Sequence, residues 1–313
     1  MSTSRLTASV TIIGCVQADV VMSPVTDLPA PGGALLAEQA AVRVGGAGAN
    51  AALAAVEAGL DVRLMGAIGD DQLGGLMREQ LAPAGLDAEL AVGVGATTGM
   101  TVVLESPVRD RTFLTYLGVN DRWERAMIPD DALSCDHLLL CDYFVAPRLR
   151  GDAALSLLQT ARGRGARTFF DTSWDPDGFP AATRDEVYAL LPAVDVFLPN
   201  EVEARALAGL PGDPARAARA LQAISGGWVV VKLGPSGCLA AGPGGVEIAA
   251  PAPAVRVSDT TGAGDAFNAG MIHALASGAG WHEALAQATR FATTIVMRPS
   301  NDRYRHALTE VQR

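Results

Sequence analysis

A single lysine, Lys232, stands among the 24 basic side chains of this 313-residue chain. Arginine supplies the rest, a bias of the kind that GC-rich coding imposes. Because Leu233 follows that lysine, the phosphate loop G-x-x-x-x-G-K-[ST] cannot form anywhere in the chain. Four cysteines (Cys15, Cys135, Cys141, Cys238) make no C-x-x-C pair, and the histidines at 137, 273, 282 and 306 are scattered. Neither a disulfide framework nor a zinc site is encoded. No apolar run approaches the roughly eighteen residues of a membrane span. Residues 1–9 lack the charged-then-apolar layout of a signal peptide. A reduced, cytoplasmic location without a membrane partner is the expectation. Positive charge is scarce as well, since a net charge of −10 leaves no basic face for nucleic acid. A small anionic ligand remains open, because amides and one or two cations act locally while diffuse charge is screened over about 10 Å.

What is present is apolar material in short pieces. Hydrophobic residues make up 49% of the chain, ample for a large core. Strands are predicted over 10–15, 62–68, 137–141, 167–171, 195–198 and 228–233. Helical patterns cover 47–58, 73–81, 151–162, 201–208, 215–224, 263–276 and 281–297. Such alternation implies βαβ units: a doubly wound, mostly parallel α/β sheet flanked by helices, in a single domain over 1–313. Segments 16–44 and 93–119 break the rhythm with Pro and Gly and have no room for helices. They read either as a small inserted β-sheet lid over a cleft or as two surface hairpins. The edges of such a sheet would invite a homodimer through the lid.

The most informative stretch is Asp259-Thr-Thr-Gly-Ala-Gly-Asp265, followed at once by a helix whose apolar face is Phe267, Met271, Ile272 and Leu275. A helix starting at Gly262, Ala263 and Gly264 would aim the amides of residues 262–265 out of its positive end and form an anion site. Asp265 stands among those amides. It reads as a general base taking a proton from an attacking hydroxyl, or as a helix cap in a glycine-rich chain.

Residues 44–75 carry a second glycine run, Val44-Gly-Gly-Ala-Gly-Ala-Asn50, and later Gly66-Ala-Ile-Gly-Asp-Asp71. Gly46-x-Gly48-x-x-Ala51 formally matches a dinucleotide fingerprint, but the segment before it is a poor core strand. Taken in order, Val10–Asp19, the 44–75 motif, Asn200-Glu-Val-Glu203, Val229–Gly237 and Asp259–Asp265 resemble the ribokinase-like (PfkB-type) carbohydrate kinase family. The resemblance covers nearly the whole chain. It implies phosphoryl transfer from ATP, with Mg2+, to a hydroxyl of a small sugar, with Asp265 as base and Gly262, Ala263 and Gly264 as the anion hole. It further implies Asp19, Gly45, Gly46 and Asn50 as sugar contacts. Asn200 and Glu203 would order Mg2+ and phosphate through water, although the same pair reads on local grounds as a helix cap. Gly234 and Gly237 would let a loop run flat along the nucleotide. Lys232 would either face a phosphate or end its strand with the charge in solvent.

Departures from the family pattern restrict the substrate. Members that act on ribose carry a lysine where this chain has Ala47, and a sugar-binding glutamate where it has Asp142-Tyr143. Ribose is therefore not the default acceptor. The family also holds a monovalent cation (K+) with Asp259 and a small-residue segment near the C-terminus. Here that stretch is Met297-Arg-Pro-Ser-Asn-Asp302, which lacks those residues and puts the cation in question. Rival readings are a nucleoside kinase with Tyr116, Trp123, Tyr143, Phe144 and Trp174 lining a base slot, a non-catalytic sugar-binding or regulatory protein, and, most distantly, a nicotinamide-dependent oxidoreductase.

Overall fold

The computed structural model describes residues 8–86, 89–106, 108, 111–299 and 304. The chain opens on β1 (Ser9–Ile13), then leaves for a separate sheet through β2 (Gln17–Ser23) and β3 (Gln39–Gly45). Helix α1 (Ala47–Glu57) brings it back to β4 (Asp61–Met65), the short β5 (Ala67–Gly69), α2 (Gln72–Leu81) and β6 (Ala91–Gly93). β7 (Gly99–Leu104) and β8 (Thr112–Tyr116) complete the separate sheet. From β9 (His137–Leu140) the order is α3 (Asp152–Gly163), β10 (Arg167–Phe170), α4 (Ala181–Leu190) and β11 (Val196–Phe197). Next come α5 (Glu201–Ala208), α6 (Pro214–Ser225), β12 (Trp228–Lys232) and the hairpin β13 (Cys238–Gly242) and β14 (Val246–Ala250). Helices α7 (Ala263–Ala276) and α8 (Trp281–Val296) close it.

Eight strands form one sheet in the order β14-β13-β12-β11-β10-β9-β1-β4, parallel except at β13 and β14. Successive residues of a strand feed opposite faces. Leu139, Phe169 and Val230 join one core with α1, α2, α7 and α8, and Leu138, Leu140, Phe170, Val229 and Val231 join the other with α3 to α6. Both faces being covered explains why these strands read as continuous apolar runs. The α/β expectation holds. Among the described residues no helix is long and apolar enough to cross a membrane.

The two punctuated segments meet in a four-stranded sheet, β3-β2-β7-β8, in which β2 and β7 pair in parallel and join one segment to the other. Two independent hairpins are thereby excluded.

One expectation needs correction, and two elements have no counterpart among the expected ones. The strand expected over 62–68 breaks at Gly66 into β4 and β5, because the chain passes Val16 there so closely that a Cβ would lie 2.7 Å from it. Helix α4 was missed, since only Thr183, Val187 and Leu190 of its ten residues are buried and its apolar period is weak. The β13–β14 hairpin was missed because its small residues read as loop. Residues 1–7 and 300–302, on which the targeting and cation-segment readings fell, lie outside the described residues.

Candidate active site

Parallel strands present their carboxyl ends on one side, and the polar residues of the sheet collect there. Asp142 follows β9, Asp171 follows β10, Asn200 follows β11, and Lys232 ends β12 as the bridge partner of Asn200. Helix α7 starts against them, packed between α1 and α8.

Gly262 caps α7 with φ 73°, a left-handed conformation that glycine adopts without strain, and no side chain caps the helix. Asp265 sits in the first turn and is half-buried. First-turn amides have no partner within a helix. The Ala263 amide is nevertheless engaged, donating to the Thr260 carbonyl at 3.2 Å, so the expected row of amides over 262–265 is not uniformly open. A Cβ on Gly264 would stand 3.4 Å from Lys232 Nζ, which places the ammonium over the helix end.

Lys232 does not put its charge in solvent. Its Nζ donates to Asp171 Oδ2 at 2.5 Å and to Asn268 Oδ1 at 3.4 Å, with the lysine and aspartate side chains 12% and 6% exposed. Asn268, on α7, donates to the same Asp171 oxygen at 2.6 Å. Burial alone would lower the lysine pKa, but the charges of Asp171 and Glu203 outweigh it and hold the ammonium above its ordinary value.

The Asn200–Glu203 pair forms a complete capping box on α5. Asn200 Oδ1 accepts the Glu203 amide at 2.9 Å, and Glu203 accepts the Asn200 amide at 2.9 Å and its Nδ2 at 2.6 Å. Burial, helped by the Asp171 charge, pushes the Glu203 carboxyl up, with Lys232 pulling it back. Among the described residues no cluster of three His, Cys, Asp or Glu side chains could cage a metal ion.

Asp19, buried on β2, faces Gly45, where a Cβ would fall 2.2–2.3 Å from its carboxylate. Gly46, at φ 89°, passes so close to Cys15 that a Cβ would be 2.3 Å from that carbonyl oxygen. Asn50 is buried one turn into α1. These four residues therefore come from β2, the end of β3 and the start of α1, at one junction of the two sheets. Because β3 is an antiparallel strand of the small sheet, Gly46-x-Gly48 lacks the strand a dinucleotide fold requires. Gly234 and Gly237 shape the tight turn between β12 and β13, with φ 56° and 92°.

Asp142 went unassigned in the sequence, where it appeared only as a replacement. It is buried at φ 58°, and its Oδ2 accepts the amides of Cys15 and Gly48, both at 2.9 Å. Burial raises its pKa to about 6 despite those donors. It ties the end of β1 to the first turn of α1 and so positions the glycine run. Asp171 and Asn268 were also unassigned; a lone lysine at a strand end in an arginine-rich chain was the one hint that a buried anion awaited it.

The aromatic slot does not form. Trp123, Tyr143 and Phe144 are core residues, Tyr143 packing edge-on to Phe144 and Phe170, and only Tyr116 and Trp174 are exposed. Two guanidiniums, from Arg43 and Arg111, lie 3.3 and 3.2 Å from the oxygens of Asp259, where the family resemblance implied a monovalent cation.

A polar cluster at the carboxyl ends of a doubly wound sheet, a helix end carrying an aspartate, and a second small sheet above define a phosphotransferase-like architecture. The model of the pfkB family of carbohydrate kinases matches residues 7–303. Ribokinase of Haemophilus influenzae is 27% identical over 283 residues, 88% of each chain. The 2-dehydro-3-deoxygluconokinase of Thermoproteus tenax is 31% identical, covering 81% of this chain and 79% of its own. The structure of Arabidopsis thaliana ribokinase complexed with ribose and ATP superposes with a TM-score of 0.79 at 25% identity, covering 97% of this chain and 99% of that one. The chain belongs to the pfkB family of carbohydrate kinases.

Proposed function

We propose that this protein is an ATP-dependent, magnesium-requiring kinase that transfers the γ-phosphoryl group to a hydroxyl, a primary one, of a small sugar or sugar derivative. The observation that carries this reading is Asp265 in the uncapped first turn of α7, beside Gly264 and the Lys232 ammonium. Asp265 accepts the proton of the attacking hydroxyl late in a loose transition state. The backbone of Gly262, Ala263 and Gly264 holds the phosphoryl oxygens, with the Ala263 amide contributing least because Thr260 already takes it. Lys232, fixed by Asp171 and Asn268, lends positive charge to the phosphates. Gly234 and Gly237 let nucleotide lie along the β12–β13 turn. When bound, Mg2+ would neutralise charge on the phosphates; Asn200 and Glu203 are the residues that would order its waters.

Asp19, Gly45, Gly46 and Asn50 bind the acceptor: the carboxylate takes hydroxyl donors, the glycines let backbone approach, and the Asn50 amide can both donate and accept. The small sheet acts as the lid of a single α/β domain and excludes water from the reaction. Four free cysteines accord with a reducing cytoplasm. On the lid, β8 is an edge strand with Phe113, Leu114 and Tyr116 more than half exposed, which supports a homodimer through this sheet. Sedimentation velocity should show a dimer that dissociates on dilution; a monomer at every concentration would contradict it.

The acceptor site has its own test. Asp19→Ala is expected to raise the acceptor KM by at least tenfold, about the 1.5–3 kcal/mol of hydrogen bonds to a charged group, and to leave the ATP KM within about twofold. An equal rise in both constants would assign Asp19 to lid structure and not to acceptor binding.

A further inference from the structure

Two arginines, Arg43 on β3 and Arg111 immediately before β8, reach across to the loop that leads into α7. Arg43 Nη1 lies 3.3 Å from one oxygen of Asp259 and Arg111 Nη1 lies 3.2 Å from the other, so each carboxylate oxygen meets its own guanidinium. Arg111 also donates to the hydroxyls of Thr260 and Thr261, and Arg43 to that of Thr261 at 3.5 Å. The carboxylate accepts the Thr261 amide at 2.7 Å. From the other side, the amides of Ser258 and Asp259 donate to the Val296 carbonyl at 2.9 and 3.2 Å. The Asp259 side chain is 5% exposed, and those of Arg43 and Arg111 are 17% and 19% exposed. An anion so withdrawn from water needs a compensating charge beside it, and here two cations face one anion.

We propose that Arg43 and Arg111 supply, from within the chain, the positive charge that the Asp259–Thr261 loop requires, so that the enzyme needs no monovalent cation and the loop is ordered by docking of the small sheet. The loop runs straight into Gly262, and fixing it fixes the direction of the α7 amides. A further cation at Asp259 would add to a cluster of these three side chains that already carries one excess positive charge. Arg43 sits opposite Asp19 in the pairing of β3 with β2, so the strand that supplies the acceptor carboxylate is adjacent to the one that orders the anion loop. Arg43 and Arg111 are thus positioning residues, acting through the loop. The activity arm of the test rests on the kinase reading; the binding arm does not.

Parent protein is melted and assayed for acceptor-dependent ADP release in chloride salts of potassium, sodium and tetramethylammonium at equal ionic strength. A cation that binds only the folded state raises the melting temperature, by an amount that grows with the logarithm of its concentration above Kd. The expected result is one melting temperature in all three salts and turnover within about twofold, below the roughly fivefold at which coupling between sites begins. A potassium-specific rise in either quantity overturns the proposal. The double variant Arg43→Met/Arg111→Met is expected to lose at least tenfold in turnover in tetramethylammonium and to regain part of it when guanidinium ion is added at low concentration. A double variant that equals the parent in turnover and melting temperature also overturns it. No turnover by the parent in any salt would defeat the kinase reading alone, because the melting comparison still decides the cation question.

Discussion

Asp265→Asn is expected to lower kcat by about 10²–10⁴, the usual contribution of a general base, which corresponds to roughly 3–5.5 kcal/mol of barrier. Asparagine preserves the size of the side chain and most of its hydrogen bonding but cannot take the proton. Acceptor and ATP affinities should change little, since neither ligand depends on that proton for binding. Stability should move by about 1 kcal/mol or less, the scale of a single carboxylate at a helix N-terminus. Steady-state kinetics together with a thermal melt separate these outcomes. An Asn variant that keeps within about threefold of the parent kcat, far from the hundredfold of even a weak base, would remove Asp265 from the chemistry. A variant that fails in the melt would point to structure instead.

The second large effect concerns stability. Asp171 and Lys232 are paired at 2.5 Å with side chains 6% and 12% exposed, and Asn268 completes the cluster. Removing one member of such a pair leaves the other charged, buried and unmatched, typically a loss of about 3–5 kcal/mol. Asp171→Leu should therefore shift the urea midpoint strongly downward. Adding Lys232→Met to that variant should recover much of the loss, because an apolar pair of similar volume avoids both desolvation penalties. The double variant would regain its fold without regaining turnover, since the ammonium over Gly264 is gone. If Asp171→Leu and Lys232→Met destabilise independently and additively, the two side chains do not act as a pair.

How much of this could be read in the chain varies with distance along it. Helices α5 and α7 coincide residue for residue with the sequence expectation, because caps, glycines and apolar periodicity are local signals. Apart from β4, which ends three residues short of the expected strand, the parallel core strands come within one or two residues for the same reason. Asp265 with its glycines, and Asn200 with Glu203, were legible as motifs because each spans only a few residues. What was illegible is long-range. Lys232 meets Asp171 across 61 positions, Arg111 meets Asp259 across 148, Arg43 meets Asp259 across 216, and Asp142 meets Cys15 across 127. No spacing rule connects residues that only the sheet order brings together. The hairpin β13–β14 was hidden for a different reason: alanines and glycines, with a Pro-Gly-Gly turn, have little strand character until β12 supplies a partner.

Asp142 shows how the two levels combine. In the sequence it marked a departure from ribose-acting relatives, and in the fold it becomes the acceptor that draws the start of α1 against β1. A carboxylate committed to two backbone amides leaves fewer lone pairs for a sugar hydroxyl. That supports an acceptor other than ribose for the proposed reaction.

Whether phosphoryl transfer happens at all is the central claim, and one measurement bears on it most directly. Parent protein is incubated with ATP and Mg2+ and a panel of pentoses, hexoses, ketoses, sugar acids and nucleosides, with ADP release and phosphorus NMR followed together. The account predicts that at least one sugar or sugar derivative gives acceptor-dependent ADP release with an equal amount of a new phosphate monoester, and that Asp265→Asn abolishes both. ADP release that is independent of every acceptor and yields only inorganic phosphate, or turnover confined to nucleosides, would contradict it.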